Sequence, residues 1–343
     1  MKAIRIHQHG DRSVLNYDDI DYPRPEDDKV ILEVKSVSIN HLDIWVRKGW
    51  PGISIDLPFT MGSDASGIIV DVGKNIKDWK VGDSVVIQPG TFCGNCSQCM
   101  INKENYCSSY GILGESENGV QAEYISVYPE NLFHKPQIYT FEEAASMPLV
   151  FMTAFQMLIS RANLNENETV LIYGGSSGVG SAAIQIAKSM NATVIATVGS
   201  DSKRNYVYDM GADYIVNHNN TTDLYNQIID IVGKNKINVI FEHVGSQTWN
   251  NSIRLLSKGG RLVTCGATTG SMVNIDLKHL FMKQQTIIGS TMSDIPSFKA
   301  VMNKINIGLY KPFVDKIFKF KDIKYAHEYI EESKHMGKIV LIP

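Results

Sequence analysis

The sequence predicts an α/β fold: a doubly wound, six-stranded parallel sheet accompanied by a smaller, irregular β domain. Three observations predict it. Short β-branched runs alternate with helix-like stretches through the middle of the chain. A glycine-rich turn follows the first of those runs, and the N-terminal part instead carries short strand-like pieces punctuated by glycine. The chain has 343 residues, a length that suits about two domains, each with its own core.

The elements follow in order. Val30, Leu32 and Val34 alternate with Ile31, Glu33 and Lys35, and further strand-like pieces occur at 67–72, 84–88 and 121–127. Gly62, Gly67, Gly73, Gly82 and Gly90 mark turns or bends between them, as in a small all-β domain. From residue 169 the pattern changes. Strands are expected at 169–173, 193–198, 214–216, 238–242, 261–265 and 286–289. Most are continuous apolar runs, which fits strands buried on both faces of a parallel sheet. The clearest helix spans 179–190, where Val179, Ala183, Ile186 or Ala187, and Met190 recur at spacings of three and four. Gly211, and Gly259 with Gly260, stand where helices should stop. After residue 291 come a helix-like 297–307 and a final apolar strand at 338–342, which could complete either domain.

Composition narrows the function classes. Hydrophobic residues make up 43% and charged residues 20%, ordinary globular values. Lys plus Arg total 33 against 36 Asp plus Glu, a net charge of −3, which supplies no general basic field for nucleic acid or anionic lipid. No apolar run approaches the roughly 18 to 20 residues needed to span a bilayer. The first residues hold no apolar core of signal-peptide length. The expectation is a soluble cytoplasmic protein, with neither nucleic-acid nor membrane partners.

Four of the five cysteines fall together as Cys93-x2-Cys96-x2-Cys99-x7-Cys107. Four thiolates at about 2.3 Å suit one tetrahedral zinc and leave no open position for catalysis. Four free thiols on a loop is the bland alternative. An iron–sulfur cluster is the other metal reading, but the last spacing does not fit ferredoxin runs. Cys265 ends an expected buried strand and reads as a small apolar thiol rather than a nucleophile.

Gly174-Gly175-Ser176-Ser177-Gly178-Val179-Gly180 follows the first central strand. Such a turn lets backbone N–H groups and a helix N-terminus approach a pyrophosphate. Here Ser177 replaces the middle glycine of G-x-G-x-x-G, and glycine-rich turns also serve purely structural ends. At the end of the second strand an NAD site usually places an acidic residue for the ribose 2′-hydroxyl. Val198 occupies that position, while Ser200, Lys203 and Arg204 could receive a 2′-phosphate. This points to NADP(H). Asp201 keeps NAD(H) open, and a helix N-cap at Ser200 or Asp201 followed by solvated charges is the structural alternative.

The chain as a whole resembles the medium-chain dehydrogenase/reductase superfamily of zinc alcohol dehydrogenases and quinone oxidoreductases. The resemblance rests on Ile39-Asn40-His41-Leu42-Asp43, Gly62 to Gly67, Val72-Gly73 through Val81-Gly82-Asp83, the four cysteines, and Gly178-Val179-Gly180. It implies a GroES-like catalytic domain over 1–151 with a zinc lobe at 90–110, a Rossmann dinucleotide-binding domain over 152–291, and a return to the catalytic domain over 292–343. It also implies a homodimer or homotetramer, with the 286–289 strand at an exposed sheet edge.

The departures from the family pattern bear on mechanism. Catalytic-zinc members carry Cys where this chain has Asn40, Gly-His-Glu where it has Gly62-Ser63-Asp64, and often Cys near Phe151. Asp64 remains a possible donor and His41 could add a second, short of the usual three protein ligands. The expected active site is therefore zinc-free, as in a quinone oxidoreductase-like branch with a retained structural zinc lobe.

By the same resemblance, Asn40 holds the substrate oxygen or the nicotinamide ribose. His41 either donates or relays a proton or orients the ribose hydroxyls, and Asp43 holds the loop. Thr153 lies beside the nicotinamide or caps a helix. His218, the His243-Val244-Gly245 and Cys265-Gly266-Ala267 stretches, and Lys338 are further cofactor contacts, each of which could equally be ordinary loop or strand structure. The expected substrate is a small apolar carbonyl compound or quinone, in a pocket walled by Trp45, Trp50, Leu57, Phe59 and Phe151. The expected activity is NADP(H)-dependent reduction of an enone, quinone or enoyl thioester. Alcohol or aldehyde dehydrogenase is a second reading, and a nucleotide-binding protein without turnover a third.

Overall fold

The computed structural model describes residues 1–50, 52, 54–221 and 223–343. The chain divides into two compact units: Met1–Leu149 with Asp294–Pro343, and Val150–Ser293.

The first unit is built on a seven-stranded sheet. Its path runs through Leu132–His134, Ser84–Ile87, Asp64–Val72, Val30–Ile39, Lys338–Ile342 and Val314–Lys319, with Tyr124–Val127 pairing off Val30–Ile39. The final strand, which composition alone placed in neither domain, lies antiparallel to Val30–Ile39, with Ile339 opposite Ile39 and Val340 opposite Ser38. On the other side of Val30–Ile39, Ser38 stands opposite Asp64. These two registers bring residues far apart in sequence to adjacent strand ends. Crowding explains Gly67 in this sheet, because a Cβ there would meet the Glu33 carbonyl oxygen at 2.2 Å.

The second unit is a six-stranded parallel sheet in the order Tyr214–Asn217, Thr193–Val198, Thr169–Ile172, Ile237–Glu242, Leu256–Thr264, Thr286–Gly289. Strand order reverses between Thr169–Ile172 and Ile237–Glu242, the crevice position where such sheets bind ligands. Leu171, Ile195, Ile240 and Leu262 are fully buried, as their continuous apolar runs predict. The expected helix at 179–190 forms as Gly178–Ser189.

One expectation is corrected. Gly259 and Gly260 do not stop a helix but lie inside the strand Leu256–Thr264, opposite a register irregularity in its neighbour. The preceding helix, Ser246–Leu255, ends earlier because side chains satisfy its last carbonyls. Lys283 Nζ donates to the Arg254 and Leu256 carbonyls, and Gln285 Nε2 donates to those of Ile253 and Leu256. Among the described residues no helix is long and apolar enough to cross a membrane.

The helix His41–Lys48 begins directly after the strand Val30–Ile39 and Asn40. Asp43, in its first turn, accepts the Asn40 backbone N–H at 2.7 Å. This carboxyl is 1% exposed, and burial pushes its pKa from 3.8 to about 7 despite that hydrogen bond. The folded chain therefore retains a proton that the unfolded chain releases above about pH 4. The stability tied to this group is full at low pH and lost as pH rises through about 7. Asp43→Asn should flatten that component and be relatively more stable at pH 8 than at pH 5. Urea midpoints across this range check it, and parallel profiles for the two proteins would refute it.

Candidate functional site

The three strand ends of the first unit converge on a buried polar cluster. Asn40, Asp64 and Lys338 are 5%, 0% and 5% exposed. A polar group taken this far from water must find partners, and a charge must find an opposite charge. Asp64 meets this demand four times. Its Oδ2 accepts from Asn40 Nδ2 at 2.9 Å, Ser38 Oγ at 3.1 Å and Lys338 Nζ at 3.3 Å, and its Oδ1 accepts the Leu149 N–H at 2.8 Å. Lys338 Nζ also donates to Asn40 Oδ1. Burial lowers the Lys338 pKa, and the Asp64 carboxylate opposes that shift.

The sequence singled out Asn40 and Lys338 separately. It regarded Asp64 only as a leftover metal donor and overlooked Ser38. The structure brings all four together, with Lys338 engaged inside the first unit by Asn40 and Asp64.

His41 opens the helix that follows Asn40, its ring 6.2 Å from that of Trp45. Trp45 packs edge-on against Trp50 at 4.8 Å. These expected pocket residues thus form one aromatic row beside Asn40 in sequence. Phe59 is in a different place: it is buried in a strand and lines a cavity of about 410 Å³ with Lys29, Thr91, Leu113 and Tyr128. Leu57 is exposed. Phe151 and Thr153 are buried in the helix Pro148–Phe155. Thr153 lies within that helix, so it is not a helix cap.

In the second unit the glycine turn has a clear local logic. Ser177, standing where the motif has its middle glycine, caps the helix Gly178–Ser189 by accepting the Gly180 N–H at 3.0 Å. A Cβ on Gly180 would meet the Gly174 carbonyl oxygen at 2.3 Å, so that approach admits glycine alone. Val179 is the second residue of the same helix, between the two glycines.

Val198 is fully buried at the end of its strand. Beyond it, Ser200 precedes a short turn, Asp201–Lys203, and its hydroxyl is 2.8 Å from that of Ser202. The Asp201 carboxylate accepts from Asn220 Nδ2 at 2.7 Å and lies 3.8 Å from Arg204. Burial lowers the His218 pKa, and the positive charge of Lys203 lowers it further, which places these two candidates within electrostatic reach. Hydroxyl and cationic side chains thus gather here beside the Asp201 carboxylate.

The stretches after the fourth and fifth strands also meet. Val244 N–H and Gly245 N–H donate to Glu242 Oε1 at 2.6 and 3.0 Å, and Thr248 and Ser252 hydroxyls donate to Oε2. Gly245 adopts φ +95°, and a Cβ there would lie 3.0 Å from Ala267 Cα. Cys265 is half-buried; burial pushes its thiol up to about 12, which keeps it protonated. Gly266 accepts from the Thr264 hydroxyl at 3.2 Å. Glu242 was missed in the sequence. Its signal was a carboxylate ending an apolar strand, which must be buried and therefore bonded.

The four-cysteine lobe is compact. Sulfur separations are 3.5 Å for Cys96–Cys99 and for Cys107–Cys93, and 4.0 Å for Cys93–Cys99. All four sulfurs lie within 4.8 Å of one another. Tetrahedral zinc with bonds near 2.3 Å requires separations of about 3.8 Å, so the donor set fits that ion. The Asn95 and Cys96 N–H groups hold the Cys93 thiol down, at about 6, favouring the metal-binding thiolate. Lys103 and Glu104 tie the lobe to its own unit: Lys103 pairs with Asp294 at 2.6 Å, and Glu104 accepts the Ile295 N–H at 3.1 Å.

Comparison with known proteins agrees with these features. Residues 26–137 match the alcohol dehydrogenase GroES-like domain, and residues 178–306 match the zinc-binding dehydrogenase domain. A crystal structure of an NAD-dependent alcohol dehydrogenase is 35% identical with a TM-score of 0.96, covering 100% of each chain. Crotonyl-CoA carboxylase/reductase of Cereibacter sphaeroides is 29% identical over 97% of this chain and 84% of its own length. Quinone oxidoreductase of Homo sapiens is 28% identical over 100% of this chain and 98% of its own. The GroES-like fold, the Rossmann-like parallel sheet and these relatives together establish that the chain belongs to the medium-chain dehydrogenase/reductase superfamily, as one of its oxidoreductases.

Proposed function

We propose that this oxidoreductase uses NADP(H) to reduce a carbonyl-conjugated double bond or a quinone, without catalytic zinc. The observation that carries the reading is the cluster at Asn40. Where zinc-dependent members of the family place a cysteine ligand, this chain places an amide, and the neighbouring Asp64 carboxylate is already occupied by Asn40, Ser38, Lys338 and the Leu149 N–H. Ser63 replaces the histidine ligand. The quinone oxidoreductase and crotonyl-CoA carboxylase/reductase relatives support this substrate class.

A bound nicotinamide dinucleotide supplies the hydride. Hydride addition at the electron-poor carbon places negative charge on the substrate oxygen, and a fixed N–H donor stabilises that charge. Asn40 is the proposed donor. His41 is proposed as the proton source for the second step or as the group orienting the ribose, with Thr153 near the nicotinamide. Ser177, Gly178, Val179 and Gly180 are proposed to face the pyrophosphate, and Ser200, Lys203 and His218 the adenosine phosphate. The loops at Val244–Gly245 and Cys265–Ala267 are proposed as further contacts. The four cysteines are proposed to hold one structural zinc, and the protein is proposed to act in the cytoplasm.

A second reading, alcohol dehydrogenation with NAD, is favoured by the 35% identical NAD-dependent alcohol dehydrogenase. An acceptor panel of enones, quinones and enoyl thioesters, set beside alcohols with NAD and NADP, separates the two. Metal counting belongs with it: one tightly bound zinc per chain is expected. Two zincs and alcohol turnover would overturn the zinc-free reading, and no zinc would overturn the lobe assignment.

Cofactor choice gives a sharper test. A charge-assisted bond from Lys203 to a 2′-phosphate is worth about 1.5–3 kcal/mol, or on the order of tenfold to a hundredfold in preference. NADPH should therefore exceed NADH in kcat/KM, and Lys203→Ala should shrink that ratio. NADH preference in the wild type, or an unchanged ratio in the variant, would refute the reading.

Among the described residues the strand Thr286–Gly289 stands at the end of its sheet, and we assign that edge to pairing with a second copy. Light scattering should show a dimer or tetramer; a 38.2 kDa species alone at micromolar concentration would contradict this.

A further inference from the structure

We propose that Lys338 is the positioning residue that sets which way the Asn40 amide points. The inference rests on the reading of Asn40 as the donor to the substrate oxygen and adds the group that makes it one. Asn40 Oδ1 accepts from Lys338 Nζ, while Nδ2 donates to Asp64 Oδ2 at 2.9 Å. An ammonium only donates and a carboxylate only accepts, so the two neighbours read the two ends of the amide differently. Flipping the amide would set its NH2 against the ammonium and its oxygen against the carboxylate, two repulsive contacts in place of two attractive ones. One orientation survives.

That orientation has a chemical consequence. The amide oxygen is turned inward to Lys338, and Nδ2 spends one N–H on Asp64. The other N–H is left for a ligand. Withdrawal of electron density from Oδ1 by the adjacent cation makes this remaining N–H a stronger donor, in the cooperative sense of linked hydrogen bonds at low dielectric. Asp64 cannot drift, because Ser38 and the Leu149 N–H hold it from other directions. Lys338 is placed by strand register: Ile339 opposite Ile39 puts the next residue of each strand, Lys338 and Asn40, side by side. In this proposal its role is exerted through Asn40, which it bonds together with Asp64.

The test uses the full-length protein as wild type, Lys338→Met, Asn40→Ala and the double variant. With 15N-asparagine labelling, the side-chain amide signal absent from Asn40→Ala identifies Asn40. It should show two resolved protons in the wild type and shift or broaden in Lys338→Met. NADPH affinity, from fluorescence titration, should stay within about twofold. With the acceptor the wild type turns over, Lys338→Met should lower kcat by about tenfold to a hundredfold, the scale of a weakened oxyanion donor, and leave KM nearly unchanged. The double variant should be no slower than Asn40→Ala.

Independent, multiplying losses in the double variant would overturn the proposal, as would an unaltered Asn40 signal in Lys338→Met. NADPH affinity weakened tenfold or more with kcat preserved would make Lys338 a cofactor ligand instead. If Lys338→Met does not fold, Lys338→Arg, which keeps a cation and a donor, is judged by the same affinity and amide signals. Failure of the wild type to reduce any enone or quinone would sink the functional reading alone, since the amide signal and NADPH affinity still decide the role of Lys338.

Discussion

A buried ammonium ion is the constraint around which the first unit is organised at its chemical end. Lys338 stands on the last strand, 5% exposed, and desolvation of its charge must be offset by close acceptors. Only the junction of three strands supplies them. Asp64 begins one strand, Asn40 follows a second, and Lys338 begins the third, so correct sheet register is also correct charge pairing. A shift of one residue would turn each of these side chains to the opposite face. Removing one partner of such a pair costs about 3–5 kcal/mol, enough to penalise misregistered alternatives strongly. The same junction then starts the helix that carries His41.

The second unit reaches its site by a different route. Its strands run parallel, and the turns at their C-terminal ends collect near the reversal in strand order. Two short-range devices shape those turns. Ser177 caps a helix where a glycine would leave the Gly180 N–H without this partner, and Glu242 draws the Val244 and Gly245 N–H groups onto one carboxylate. Both convert flexible glycine-containing loops into fixed ones. Fixed loops lose less conformational freedom when a ligand binds against them.

The family contains members that polarise their substrates with a metal and members that do not, and the distinction turns on a few positions. A metal site needs ligands with free lone pairs converging on one point. Around Asn40 the acceptor oxygens are engaged by protein donors: the amide oxygen by Lys338, Asp64 Oδ2 by three donors and Oδ1 by the Leu149 N–H. The cysteine lobe is the opposite case. Among the described residues it is the one cluster whose donors face one another at metal-binding separations, and Lys103 and Glu104 fasten it to the helix Ile295–Asn306.

Local information made much of this legible in the sequence. Continuous β-branched runs identified the six parallel strands, and two of them, Thr193–Val198 and Thr286–Gly289, have the expected bounds. The cysteine spacing marked the lobe, because all four sulfurs come from one short stretch of chain. The glycine turn was visible for the same reason. Where partners were distant, local signals misled or fell silent. The end of the helix Ser246–Leu255 depends on Lys283 and Gln285, so Gly259 and Gly260 gave a false stop signal. Ser38, Asp64 and Lys338 looked unrelated because 26 residues separate Ser38 from Asp64 and 274 separate Asp64 from Lys338. By itself the sequence determined the fold class, the four-cysteine lobe and the glycine turn that opens a helix, all written in neighbouring residues. The tertiary structure alone decided which way Asn40 faces and what stands behind it, because only strand pairing brings a donor-only cation and an acceptor-only carboxylate to the two ends of one amide.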